Sequence, residues 1–277
     1  MTAATAAADT LAATAGAHEH GAAAGLDTII LIPATLLLVV YIGGALSSRR
    51  NGRPWPWHRV ALWCAGVVAA AAPILGPFAA AAHESFVAHA LGHVVGGMLA
   101  PLLLVLAAPV TLALRTLDTT PARRLSRLLG SLPVRLLVHP VTMGIVSTAS
   151  LWLVYATWIY DAAHGSALVH VFVHVHTVIV GYLFTAAIVG VDPDPHPTSR
   201  ILRAVVLVLT MAAHAVLAKH LFANPPASAG LADGQLGAQT MYYVGGVVEL
   251  AIVIVFCAQW YRASGRRLER DAARATA

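Results

Sequence analysis

Seven histidines sit inside apolar stretches of this chain, and their spacing is what could do chemistry. In "HALGHVVGGMLAPLLLVLAAPV", His89 and His93 are four residues apart. In "HVFVHVHTVIVGYLF", His170 and His174 repeat that interval. Residues four apart share a helix face, so each pair presents two imidazoles to one side. His176 lies about 200° round from His174 and points elsewhere. His214 shares a face with Met211, three residues before it. Met98 is about 140° from His93 and reaches it only through a flexible thioether. Ionisable groups in a lipid-spanning helix are costly and face a bundle interior or a functional site. A lone membrane histidine commonly serves as a hydrogen bond between helices. Two matched pairs together with His214 point instead to a metal or proton site. The plainer reading holds for His220 and Lys219, which can snorkel to an interface. It holds also for His83 at a helix start, and for most methionines as packing.

Imidazole suits Zn, Cu, Fe and Ni, and thioether favours Cu(I). Carboxylates are nearly absent from the same helix halves, which argues against Mg, Ca and Mn. Copper, as Cu(I), fits these donors best, with zinc second. Two haems stacked across a bilayer would need histidines far apart along each helix, not four residues apart. The candidate metal ligands are therefore His89, His93, His170 and His174, with His214 and Met211 in second rank. Neutral imidazole is the binding form, so affinity should fall as pH drops through roughly 6–6.5. Glu249 is the one acidic group at depth. It can hold a histidine's second nitrogen, a proton, or a structural hydrogen bond. The "HEH" at His18 to His20 could catch a metal loosely, although a solvated tail is the plainer reading.

Composition names the elements that must position these groups. The 277 residues are 58% hydrophobic and 10% charged, with a mean hydropathy of +0.76. Soluble domains carry about 25% charged residues, so this is an integral membrane protein. Seven stretches are long and apolar enough to span a bilayer: roughly 27–47, 59–80, 84–113, 135–160, 165–190, 201–223 and 239–261. The expected fold is all-α, a polytopic seven-transmembrane-helix bundle over 27–262. A disordered extracytoplasmic tail over 1–26 precedes it and a basic cytoplasmic tail over 263–277 follows. The first 25 residues lack the basic segment of a secretory signal, so no cleavage is expected. The middle of "RTLDTTPARRLSRLLGSLPVR" predicts a short amphipathic interfacial helix. Pro101 and Pro109 are placed to bend the third span and open space beside the histidines. Cys64 and Cys257 lie in apolar runs and make no disulfide framework.

Sixteen of the 17 basic residues fall in the first, third and fifth loops or the C-terminal segment. They include Arg49, Arg50, Arg115, Arg123, Arg200 and Arg262, and the exception is Lys219. The positive-inside rule then puts the N-terminus out and the C-terminus in. The net charge is a topology signal, not a footprint for nucleic acid. With this topology the apolar-segment histidines collect in the outer halves. At about 1.5 Å per residue, His89, His170 and His220 lie roughly 5–9 Å below the outer surface. His93, His174 and His214 lie roughly 13–15 Å below it, which makes two rungs.

The third and fifth spans resemble the multi-span CtaG family, cytochrome c oxidase assembly factors tied to caa-type oxidases. The likeness rests on the two histidines four apart followed by a proline-containing run ending in Leu-Arg. His89, His93, Pro101, Pro109 and Arg115 match it. His139, Pro140, Trp152, Tyr160, His170, His174 and Gly181 fall in the expected places of the next block. Asp233, Gln235, Gly237, Met241 and Gly245 match the stretch that precedes the family's last helix. The likeness covers roughly 80–255; Tyr242 stands where the family more often has Trp, and Glu249 lies outside its hallmarks. The resemblance implies a bacterial plasma-membrane protein that matures the copper centres of a terminal oxidase by holding or supplying copper at the outer face. Its implied partners are oxidase subunits, membrane lipid and a periplasmic copper donor, and no catalysis is implied. Two other readings stay open on the residues alone. One is an intramembrane zinc hydrolase, which needs an open metal position and a nearby acid or base such as Glu249, Asp161 or His214. The other is a metal or proton transporter, which would need polar groups continuing inward past the histidines.

Overall fold

The computed structural model describes residues 3–193 and 198–275, without the side chains of 3–26, 266–268 and 270–275. All regular structure among the described residues is helical. In chain order the helices are α1 (Ala3–Arg50), α2 (Trp57–Ala71), α3 (Gly76–Glu84) and α4 (Phe86–Gly92). A π-helical turn (His93–Leu99) joins α4 to α5 (Ala100–Leu106), and α6 (Pro109–Thr116) continues the same path. Then come α7 (Thr119–Leu129), α8 (Leu132–Leu137), α9 (Pro140–Tyr155) and α10 (Ile159–Gly165). The last three are α11 (Ala167–Val189), α12 (Arg200–Ala223) and α13 (Leu231–Ala275).

Six of the described segments are long and apolar enough to cross a membrane, making this a multi-pass membrane protein. They are Asp27–Arg50, Trp57–Ile74, Phe86–Thr116, Ala167–Val189, Arg200–Ala223 and Leu231–Gly265. A seventh exists only if α9 and α10, bent by 65°, count as one. The continuous span expected over 135–160 is therefore corrected. Its first residues belong to α8, His139 caps the new helix through its Nδ1, and Pro140 takes the first position, where no N–H is needed. The stretch expected over 59–80 is also cut. Gly76 adopts a left-handed φ of +48°, which turns the chain into α3. At the other end of the chain's first span, α1 extends back through the alanine-rich segment over 3–26, a composition of high helix propensity. The side chains of His18 to His20 lie outside the described residues.

Large apolar side chains face outward along the spans, as a lipid solvent requires. Phe172 is 72% exposed and Leu36, Val208 and Leu250 are similarly bare. Inside, a central cluster of Leu102, Met143, Phe184, Ile188, Leu207 and Ile252 joins the π turn, α5, α9, α11, α12 and α13. A second, at the histidine end, gathers Phe86, Tyr155, Tyr160, Leu217 and Met241. At the opposite end, Tyr41 stacks on Trp63 at 4.5 Å and donates its hydroxyl proton to the Ala107 carbonyl at 2.7 Å. The next residue, Ala108, is fully buried with φ +54°, a strained setting for a residue with a β-carbon. Asp192 holds the following helix start, accepting from the N–H groups of Val110 and Thr111 and from the Thr111 hydroxyl. The amphipathic stretch over 119–129 forms α7, which buries none of its residues.

Candidate metal centre

The helix bearing the first histidine pair is fixed from the far end of the chain. Asp233 at the start of α13 accepts from Ser85 Oγ at 2.8 Å and from the Phe86 N–H at 2.6 Å. A carboxylate on free N–H groups at a helix start is a charge-assisted cap. It locks α4 against α13, so that His89 and His93 project into the bundle. At His93 the helix widens: the Ala100 N–H bonds to Val95 O, five residues back. Pro101 lacks the N–H that a regular helix would aim at Gly97 O, so the ladder is already broken there. Such turns recur at functional sites.

The imidazoles form a connected series rather than one cluster. His83 Nδ1–H donates to His164 O at 3.1 Å, and the two rings are 5.7 Å apart. His83 meets His170 edge-on at 5.0 Å, and His170 stacks on His89 at 5.8 Å. Tyr155 bridges the next gap, 5.8 Å from His89 and 6.0 Å from His93. His93 lies 6.1 Å from His214, whose Nδ1 is 2.9 Å from Glu249 Oε1. Two small cavities flank this path. The outer, about 30 Å³, is lined by His89, His93, Tyr155, His170 and His174. The inner, about 70 Å³, is lined by His93, Met98, Thr177, Met211, His214 and Glu249. One water needs roughly 10–15 Å³ of such space, so each has room for an ion.

The two expected rungs are only partly brought together. His89 and His170 adjoin, and so do His93 and His214. His220 instead packs at a tilt against Trp152, with ring centres 5.5 Å apart, and lines neither cavity. His174 reaches the outer cavity, but its Nε2–H donates to Ala70 O at 2.8 Å, leaving only Nδ1 as a lone-pair nitrogen. Gly96 makes that placement possible, since a β-carbon there would overlap the His174 ring. His176 turns to α9 and bonds Ser150 Oγ at 3.0 Å. Met211 lines the inner cavity beside His214. Among the described residues no three His, Cys, Asp or Glu side chains converge as a ready metal site. Two nitrogens stand out instead: His93 Nε2 and His214 Nε2 are buried with no hydrogen-bond partner. A buried imidazole nitrogen without a partner is a cost that a ligand would relieve.

The donor set and its place at one end of a helical bundle can be compared with known proteins. The family model described as cytochrome c oxidase caa3 assembly factor (Caa3_CtaG) matches residues 39–263. The chain belongs to that family. The match takes in His89, His93, His170, His174, His214, Asp233 and Glu249. Uncharacterized proteins of Mycobacterium leprae, Mycobacterium bovis and Mycobacterium tuberculosis are each 30% identical to the chain over 266 residues. The alignment takes in 88% of this chain and 40% of each relative, so the chain spans well under half the length of those proteins. No solved structure matches it.

Sequence reasoning missed three parts of this Caa3_CtaG site. Tyr155 carried no signal, because an aromatic near a helix end reads as interfacial packing. The Ala70 carbonyl is invisible to a search by side-chain type. The Asp233 cap sat inside a quoted motif, but only the fold shows which distant helix it serves.

Proposed function

We propose that this Caa3_CtaG protein holds Cu(I) at the extracytoplasmic side of a bacterial plasma membrane and supplies it to a maturing cytochrome c oxidase. The observation that carries this reading is the series of rings His164, His83, His170, His89, Tyr155, His93 and His214, each within 6.1 Å of the next. Imidazoles lying so close together, drawn from five helices and the π turn, are costly in a membrane bundle unless they serve a ligand. The donors are imidazole and thioether, a set suited to Cu(I). Zinc would want four donors in a tetrahedron, or three and a water.

The orientation belongs to the same proposal. The arginines at 49, 50, 115, 200 and 262 sit near the ends of the apolar spans opposite the histidines, in keeping with an N-out, C-in bundle of seven spans in which α9 and α10 count as one. The oxidase subunits and a periplasmic donor are the partners this reading requires. The inner cavity holds one carboxylate, Glu249, which serves as a partner to His214 in this reading rather than as the base of a hydrolase.

Purified protein loaded with Cu(I) under reductant tests the metal assignment. Wild type should retain copper and the His89→Ala/His93→Ala double variant should lose most of it; equal copper in both would refute the assignment. Deleting the gene should lower oxidase activity, with recovery on added copper. Unchanged oxidase activity would remove the assembly role.

A further inference from the structure

Two buried nitrogens, one carboxylate and the thioethers of Met98 and Met211 line the inner cavity, apart from the outer histidines. His93 is 9% exposed and His214 7%, and each has its Nε2 without a hydrogen-bond partner among the described residues. Glu249 Oε1 lies 2.9 Å from His214 Nδ1. A carboxylate only accepts, so Nδ1 carries the proton and Nε2 is left as a lone pair. A carboxylate on the far nitrogen of an imidazole is the usual support of a metal-binding histidine. It fixes the tautomer, holds the ring's orientation and makes the opposite nitrogen a better donor.

Spacing and charge agree with that role. An ion held at about 2.0–2.1 Å from each of two facing imidazole nitrogens sets the ring centres roughly 6–6.5 Å apart. The His93 and His214 rings are 6.1 Å apart. Beside them, the position of a β-carbon on Gly245 lies 2.9 Å from His214 Cε1 and 3.5 Å from Met98 Sδ. The thioether therefore sits next to the His214 ring, and glycine at 245 is what leaves room for both. Two imidazoles and a thioether make a donor set for a soft monovalent ion. Glu249 is the single carboxylate lining the two cavities, and its charge offsets that of the ion in an otherwise apolar chamber.

We infer that the inner cavity is a second, separable Cu(I) site, with His93 Nε2 and His214 Nε2 as ligands, Met98 as the adjacent sulfur donor and Glu249 as the residue that positions His214. The inference rests on the copper reading above and divides it into two stations. His89 and His170 form the outer station. His93, which lines both cavities, is the ligand between them.

The test uses the full chain in detergent, loaded anaerobically with Cu(I) and titrated against a Cu(I) chelator, with X-ray absorption at the copper edge. Wild type should show a sulfur neighbour at copper. Met98→Leu, close in volume, should abolish that sulfur signal while His89→Ala/His170→Ala keeps it. Glu249→Ala should weaken the inner site 10–100-fold, the range for loss of a supporting carboxylate. Glu249→Gln should recover part of this, because its amide oxygen still accepts from Nδ1. That rescue separates positioning from general damage to the fold, as does an unchanged melting temperature in Met98→Leu. Copper bound without sulfur, lost on removing His89 and His170 and indifferent to Glu249, would overturn the inner site and leave the copper reading standing. A wild type that binds no Cu(I) would overturn both.

Discussion

Asp233 offers a sharp test of how the site is built, because it acts on the histidine helix from almost 150 residues away. Replacing it with alanine removes the acceptor for the Phe86 N–H and for Ser85 Oγ. Bonds to a charged acceptor contribute about 1.5–3 kcal/mol each, and loss of a helix cap costs about 0.5–2 kcal/mol. The Ser85 hydroxyl is partly exposed and can turn to water, so the total should be near 2–3 kcal/mol. For a chain of this size about 2–4 °C of melting temperature accompanies each kcal/mol, which predicts a fall of roughly 5–10 °C. Asp233→Asn keeps one oxygen for the Phe86 N–H and offers an amide to Ser85. It loses mainly the charge at the helix start, about 0.3–1 kcal/mol. Thermal unfolding of the purified protein in detergent, with Cu(I) binding on the same samples, reads both effects. The alanine variant should melt earlier and bind copper more weakly, and the asparagine variant should stay close to wild type. Equal melting of alanine variant and wild type would refute the idea that this contact fixes α4.

Three further outcomes follow from the geometry. His220→Ala should leave Cu(I) binding unchanged, since His220 lies on Trp152 rather than in the ring series; copper loss on chelator titration would restore it to the site. His174→Ala should lower the melting temperature through loss of its bond to Ala70 O, about 1 kcal/mol, yet reduce copper retention less than His170→Ala. Tyr41→Phe removes a buried bond to Ala107 O and the acceptor for Trp55 Nε1–H, and should destabilise by about 1–3 kcal/mol with copper affinity unaltered. A change in copper affinity there would mean that the two ends of the bundle are coupled.

Much of the architecture was legible because lipid imposes a coarse rule. A run of about 20 apolar residues must be a helix, so α11, α12 and the apolar parts of α1 and α13 follow from hydropathy alone. The breaks were harder. Pro140 and Gly76 were visible, but what each interrupts depends on which neighbours can satisfy the freed backbone groups. The histidine pairs were legible as faces, since spacing of four fixes direction. Partner choice was not. His174 and His170 look alike in sequence, yet one meets the Ala70 carbonyl and the other meets His83 and His89. Depth placed His220 on a rung with His89, but depth says nothing of azimuth, and the ring faces Trp152. Glu249 was visible as an oddity; only the crossing of α12 and α13 gave it His214.

The wide turn at His93–Leu99 has a consequence for how one helix can serve two neighbourhoods. A turn closed five residues back takes up one residue more than a regular turn, so the two halves of this span are out of phase by roughly 100°. The half before it, α4, lies against α13, and the half after it, α5, lies against α2 and α11. Without the phase slip a single straight stripe could not address both sets. Deleting Val95 would take out the extra residue of the wide turn and swing Ser85 and Phe86 away from Asp233 while leaving every ligand in the sequence.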